Sequence, residues 1–98
     1  MIILNRVFDF EWDEGNSGKN LKKHGVTNQE AEEIFFDEKK KIYKDILHSQ
    51  KEPRSILLGK TEKKRLLCVV FTIRRGKLRV ISARNINKKE RYLYEKAV

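Results

Sequence analysis

Apolar and acidic residues alternate along Val7-Phe8-Asp9-Phe10-Glu11-Trp12, the period-two pattern of a half-buried strand whose polar face is acidic. Asp13 is placed to cap a helix running to about His24. Lys22, Lys23 and His24 fill its last turn, and Gly25 follows where left-handed geometry is common. Thr27-Asn28-Gln29-Glu30 has the spacing of a capping box, with Val26 placed to staple onto Ala31. Ala31, Ile34 and Phe35 then form one apolar stripe, which predicts a second short helix ending near Asp37. From Lys39 onward the pattern turns strand-like, over residues 41–46, 54–60, 65–74 and 77–85. His48-Ser49-Gln50-Lys51-Glu52-Pro53 is a polar link, residues 61–64 form a charged one, and Arg75-Gly76 closes a hairpin. Leu66 to Phe71 is apolar at every position and is expected to be the central strand, covered on both faces. Asn87-Lys88-Lys89-Glu90 is a second capping box, before a helix whose stripe is Leu93, Tyr94, Ala97 and Val98. The resulting order, β-α-α-β-β-β-β-α, predicts an α+β fold in which an antiparallel sheet is covered by helices.

The 98 residues suit a single domain over residues 1–98, with 39% hydrophobic and 38% charged positions leaving enough apolar runs for a core. The longest apolar run, six residues, is far short of the roughly 20 a membrane span needs. The opening Met1-Ile2-Ile3-Leu4-Asn5-Arg6 has no basic leader, which argues against a secretory signal and for a cytoplasmic protein. One cysteine, Cys68, excludes an intramolecular disulfide and a cysteine-rich zinc site, and inside the apolar strand it reads as a buried small hydrophobe. The net charge of +9 is unevenly placed. Residues 1–59 carry 10 Lys/Arg against 11 Asp/Glu, and residues 60–98 carry 13 against 3. Excess positive charge confined to one part of the chain points to a polyanionic partner, since cations that neutralise phosphates release condensed counterions. An acidic protein partner would also satisfy it.

His24 and His48 are the only side chains that titrate near neutrality without perturbation. His24, at a helix C-terminus, suits an acid or a phosphate-binding cation, or a plain helix cap; His48 lies in a loop. Arg74, Arg79 and Arg84 lie on or beside the last hairpin, with Arg91 on the helix after it. On an unbroken pleat Leu78, Val80, Ser82 and Arg84 share one face and Arg79, Ile81 and Ala83 the other, so Arg79 and Arg84 should diverge. Arg84 then suits either a bidentate phosphate contact or an ion pair with Asp9 or Glu11. The acidic residues are too scattered for metal-dependent cleavage, and no metal or other cofactor is expected. Cleavage of RNA through its 2′-hydroxyl needs only a base, an acid and cations for the phosphate, which His, Lys, Arg and Tyr can supply.

Phe10-Glu11-Trp12-Asp13, Asn20-Leu21-Lys22-Lys23-His24-Gly25-Val26, Glu30-Ala31 and Phe35 resemble the opening of the BrnT family of type II toxin-antitoxin toxins. The order continues with Asp45, His48-Ser49, Glu52, Arg54 and Gly59, then Arg65-Leu66-Leu67, Val69-Val70 and Phe71-Thr72. Arg79, Ile81-Ser82-Ala83-Arg84, and Glu90-Arg91 with Tyr94 complete it. Ile73 departs from the pattern, standing where an acidic residue is frequent.

The resemblance implies a RelE-like ribonuclease fold and a toxin that cleaves RNA and arrests growth. It implies neutralisation by a BrnA-like antitoxin with a ribbon-helix-helix part, the complex binding operator DNA through that antitoxin. Lys23, His24, Arg74 and Arg84 are the matched catalytic positions, and His48, Arg54, Arg79, Arg91 and Tyr94 the RNA-binding or supporting ones. Two other readings stand beside it: a non-enzymatic nucleic-acid-binding module, and a degenerate toxin that only binds its antitoxin.

Overall fold

A computed structural model describes residues 9–46 and 51–96. Helices α1 (Lys19–His24) and α2 (Asn28–Glu33) come first, the second running into a 3₁₀ turn at Ile34–Phe36. Strands β1 (Lys41–Lys44), β2 (Ser55–Lys60), β3 (Leu66–Arg74) and β4 (Lys77–Asn85) follow, and α3 (Lys88–Glu95) closes the described chain. The strands form one antiparallel sheet in the order β1-β2-β3-β4. The expected α+β layout is present, and both capping boxes form. Thr27 and Asn87 each accept the N–H of the residue three on, whose glutamate accepts the cap's own N–H in return. The hairpin turn places Arg75 at φ 54° and Gly76 at φ 78°, the pair of positive angles that matches the twist of the flanking strands.

The sheet is covered on both faces, which is why Leu66 to Phe71 lacks polar positions. Leu67, Val69 and Phe71 point to the side where α1 and α2 lie, packing with Val26, Ala31, Ile34, Phe35, Leu57, Leu78, Val80 and Ala83. Phe35 stands edge-on between Phe10 and Phe71, with ring centroids 5.2 and 5.1 Å away. Cys68 points to the opposite side, packing with Leu58 and Tyr94 and against Ile56, Leu66, Ile86 and Leu93. The 3₁₀ turn lies so close to β2 that a Cβ on Gly59 would sit 2.8 Å from Ile34 Cβ and 2.9 Å from its carbonyl oxygen. Only glycine lets these backbones approach so closely.

Two expectations are corrected at the N-terminal end. The strand expected at 7–12 is, over its described part, a single parallel bridge between Phe10 and Leu78, flanked by Glu11 N–H to Leu78 O at 2.8 Å and Leu78 N–H to Asp9 O at 2.9 Å. Val7 and Phe8 lie outside the described residues, as do Ala97 and Val98 of the last helix. Asp13 does not cap α1. Its carboxylate and carbonyl instead close a turn through Gly15, Asn16 and Ser17, and α1 begins at Lys19 after Gly18 at φ 78°. Gly15-Asn16-Ser17-Gly18 is poor helix material. Asn16 is also spent elsewhere: its amide donates to Glu11 O at 2.9 Å and Val80 O at 3.0 Å. Further along the same edge of β4, Asn20 Oδ1 accepts the Ala83 N–H at 3.0 Å. The outer edge of β4 is thus satisfied in sequence by backbone at 9–11, then Asn16, then Asn20.

Candidate nucleic-acid interface

The site depends on a break in the pleat of β4. Val70 pairs with Ser82 but Phe71 pairs with Val80, so Ile81 is an extra residue. Leu78 and Val80 therefore share the α1/α2 face with Ala83, and Arg79, in register with Thr72, shares the α3 face with Arg84, in register with Cys68. The expected divergence of Arg79 and Arg84 is corrected by this bulge. Ile56, Val70 and Ser82 on the α3 face are only partly covered, whereas Leu57, Val69 and Ala83 on the opposite face are fully buried.

Arg84 does not pair with Asp9 or Glu11, the partners weighed for it. Its Nη1 and Nη2 donate end-on to Glu90 Oε1 and Oε2 at 2.8 and 2.7 Å, and Nη1 also donates to Asn85 O at 3.1 Å. Among the described residues, the guanidinium has no partner for its Nε–H and one Nη2–H. These two donors lie along one edge, the arrangement that grips a phosphate with two parallel hydrogen bonds. The side chain is 40% exposed. Burial works to raise the Glu90 carboxyl, but the Arg84 hydrogen bonds and the Asn87 N–H outweigh it and hold Glu90 below the ordinary carboxylate range.

Arg79 is differently occupied. Its Nη1 donates to Glu11 at 2.9 Å and Asp13 at 2.8 Å, its Nη2 to Asp13 at 2.9 Å, and the side chain is 13% exposed. It ties the N-terminal segment to β4. The Arg79 hydrogen bond is in turn the main reason that the Asp13 carboxyl lies below its usual range. Arg74, at the hairpin end of β3, donates Nη2 to both Glu52 oxygens at 3.0 and 3.1 Å and is well exposed. Arg74 lies six residues beyond Cys68, the partner of Arg84, which separates the two arginines by roughly 20 Å of strand. They are too far apart to share one phosphate.

Lys23 and His24 sit exposed in the last turn of α1, at the Arg84 end of the sheet. Arg65 joins the two parts. Its Nε donates to Asn85 Oδ1 at 2.8 Å, its Nη1 to Gly25 O at 2.9 Å and Glu30 at 3.0 Å, and its Nη2 to His24 O at 3.4 Å. The structure therefore places Lys23 and His24, on the α1 side of the sheet, and Arg84, on the α3 side, at one end of it and leaves Arg74 at the other. Arg65 and Glu90 were not singled out as site residues, although both stand in capping or signature positions; their partners are 20 to 41 residues away for Arg65, which local spacing does not reveal.

The remaining candidates divide as follows. Tyr94 is 7% exposed, and its hydroxyl donates to Asp37 Oδ2 at 2.6 Å. Burial and then this bond raise its pKa, so it anchors α3 instead of facing solvent. Arg91 is exposed and pairs loosely with Glu95 at 3.6 Å. Arg54 precedes β2, its carbonyl accepting the Asp45 N–H at 2.9 Å. His48 lies outside the described residues. Cys68 is buried as expected, its thiol pushed up to about 12 chiefly by burial and then by Glu90. Among the described residues, no three His, Cys, Asp or Glu side chains gather where they could hold a metal ion. No described helix is long and apolar enough to cross a membrane.

The fold is a small α+β domain with a partly exposed arginine at one end of its sheet and a second along the same face, cations of the kind that phosphate backbones attract. The family model described as ribonuclease toxin, BrnT, of type II toxin-antitoxin system matches residues 12–90, and the chain belongs to this family. No curated protein matches it.

Proposed function

We propose that this protein is a toxin that cleaves RNA without a metal ion, holding the scissile phosphate at Arg84. The observation that carries this reading is the Arg84 guanidinium, braced end-on by Glu90 with its Nε–Nη2 edge unpartnered among the described residues. A base takes the 2′-hydroxyl proton, the 2′-oxygen attacks the adjacent phosphorus, and an acid protonates the departing 5′-oxygen, leaving a cyclic phosphate and a free 5′-hydroxyl. His24 and Lys23, at the same end of the sheet but on its α1 side, are the groups assigned to proton transfer, and Arg84 stabilises the charge that develops on the phosphate. Arg74 holds a neighbouring phosphate along the α3 face, with Arg54 and Arg91 and the loop residue His48 in supporting roles. Arg79 and Tyr94 support the site by holding the N-terminal segment and α3.

The protein acts as a single RelE-like domain in the cytoplasm, arresting growth until a cognate antitoxin covers it. That antitoxin is a BrnA-like ribbon-helix-helix protein, through which the complex reaches operator DNA. The test is incubation with a defined RNA in EDTA, beside Arg84→Ala and His24→Ala, with products resolved on a denaturing gel. Wild-type cleavage in EDTA that Arg84→Ala abolishes without loss of fold is the expected result. RNA retention without cleavage by the folded protein would overturn the enzymatic reading in favour of a binding module or a degenerate toxin.

A further inference from the structure

Four arginines on or beside β3 and β4 are not equivalent, and the difference lies in how each is held. Arg79 is nearly covered between two carboxylates. Arg74 touches Glu52 through a single nitrogen, from a residue outside any helix or strand. Arg65, at the end of β3, spends all three of its nitrogens on protein partners. Arg84 alone of these four combines an end-on carboxylate with a side edge that has no partner among the described residues.

That carboxylate is itself fixed on every side. Glu90 Oε1 accepts the Asn87 N–H at 2.9 Å, and the Glu90 N–H donates to Asn87 Oδ1 at 2.8 Å. The Glu90 side chain is only 17% exposed. The helix that carries it is anchored at its far end by Tyr94 on Asp37 and by the Lys41 ammonium on the Lys96 carbonyl at 2.8 Å. One glutamate thus caps α3 and sets the plane of an arginine on β4.

We infer that Glu90 is the positioning residue for Arg84: by gripping both terminal nitrogens it turns the Nε–Nη2 edge toward the RNA phosphate and holds it there before substrate arrives. The inference rests on the reading of Arg84 given above. A flexible arginine would still attract RNA, but its donors would be aligned with the transition state only part of the time. Glu90 should therefore affect turnover far more than binding.

Glu90→Gln separates this role from the helix cap. Glutamine serves the third position of a capping box as well as glutamate does, but it cannot offer two charged acceptors to a guanidinium. The experiment measures kcat and KM on a short RNA for wild type, Glu90→Gln, Arg84→Ala, the double variant and Asn87→Ala, each normalised to its folded fraction by circular dichroism. Glu90→Gln should lower kcat by roughly 100-fold with KM little changed. The double variant should be no slower than Arg84→Ala, because Glu90 acts through that side chain. Asn87→Ala, which loosens the cap but leaves the Arg84 pair, should keep wild-type kcat. A Glu90→Gln variant at wild-type kcat beside an inactive Arg84→Ala would overturn the inference and leave Arg84 in place. So would a double variant slower than either single one, or an Asn87→Ala variant as slow as Glu90→Gln. Arg84→Ala at full activity, or wild type without cleavage, would overturn the reading of Arg84 itself.

Discussion

Asn20→Ala tests how the Arg84 end of the sheet is held together. Helix α1 has six residues, too few to persist without tertiary support. Asn20 supplies that support. It is 6% exposed, its Oδ1 accepts the Ala83 N–H at 3.0 Å, and its carbonyl accepts the Val26 N–H at 3.1 Å where the chain leaves the helix. Truncation removes only the first of these bonds, but it strands a donor on a strand residue that is 0% exposed. An unsatisfied buried N–H costs about 1–3 kcal/mol, and the better helix propensity of alanine returns about 0.5 kcal/mol at most. The net loss is about 1.5 kcal/mol. With a slope near 2 kcal/mol/M for a domain of this size, the midpoint of urea unfolding should fall by about 0.7 M. Exchange of the Ala83 amide should accelerate in the same variant, and faster than that of Val69, which lies within the ladder. Because Lys23 and His24 ride on α1, cleavage per folded molecule should drop as well. A midpoint shift below about 0.2 M, within the ordinary scatter of surface substitutions, together with unchanged exchange at Ala83, would refute the claim that Asn20 closes the β4 edge.

Gly59→Ala should lose about 1–3 kcal/mol, because the new methyl meets Ile34 Cβ at 2.8 Å and the Ile34 carbonyl at 2.9 Å, and backbone yields poorly. A melting temperature equal to wild type would show that the 3₁₀ turn can move off β2. Cys68, buried with a pKa of about 12, should resist iodoacetamide at pH 7.5 and react quickly in urea; rapid native labelling would contradict its burial. Glu30, Asp37 and Glu90 are all held below their ordinary pKa values, so the folded state binds fewer protons than the unfolded chain as the pH falls. The stability they contribute is complete above about pH 5 and is lost as pH falls through their folded values, which denaturant midpoints from pH 6 to pH 3 should trace. A flat profile across that range would show that the partners of these carboxylates add nothing.

What the sequence disclosed was local, and what it concealed was not. Thr27 with Glu30 and Asn87 with Glu90 were legible as capping boxes because each is decided within four residues. The hairpin at Arg75-Gly76 and the doubly covered β3 were legible for a similar reason, since turn chemistry and an unbroken apolar run do not depend on distant partners. Asn16 and Asn20 looked like ordinary polar residues of a helix, yet their side chains are bonded to Val80 and Ala83, 64 and 63 residues away. No window along the chain contains that information. The candidate site fails to be legible at the same kind of place. Pleat arithmetic from Leu78 to Arg84 assumes an unbroken period of two, under which Arg84 follows Val80 onto the core side and meets the acidic N-terminal segment. The extra residue at Ile81 reverses the phase, so Val80 and Ala83 both face the core and Arg84 emerges beneath α3. Arg84 meets Glu90 there because of one bulged residue, and that displacement turns an arginine weighed between a phosphate contact and an ion pair with Asp9 or Glu11 into one braced from behind by Glu90.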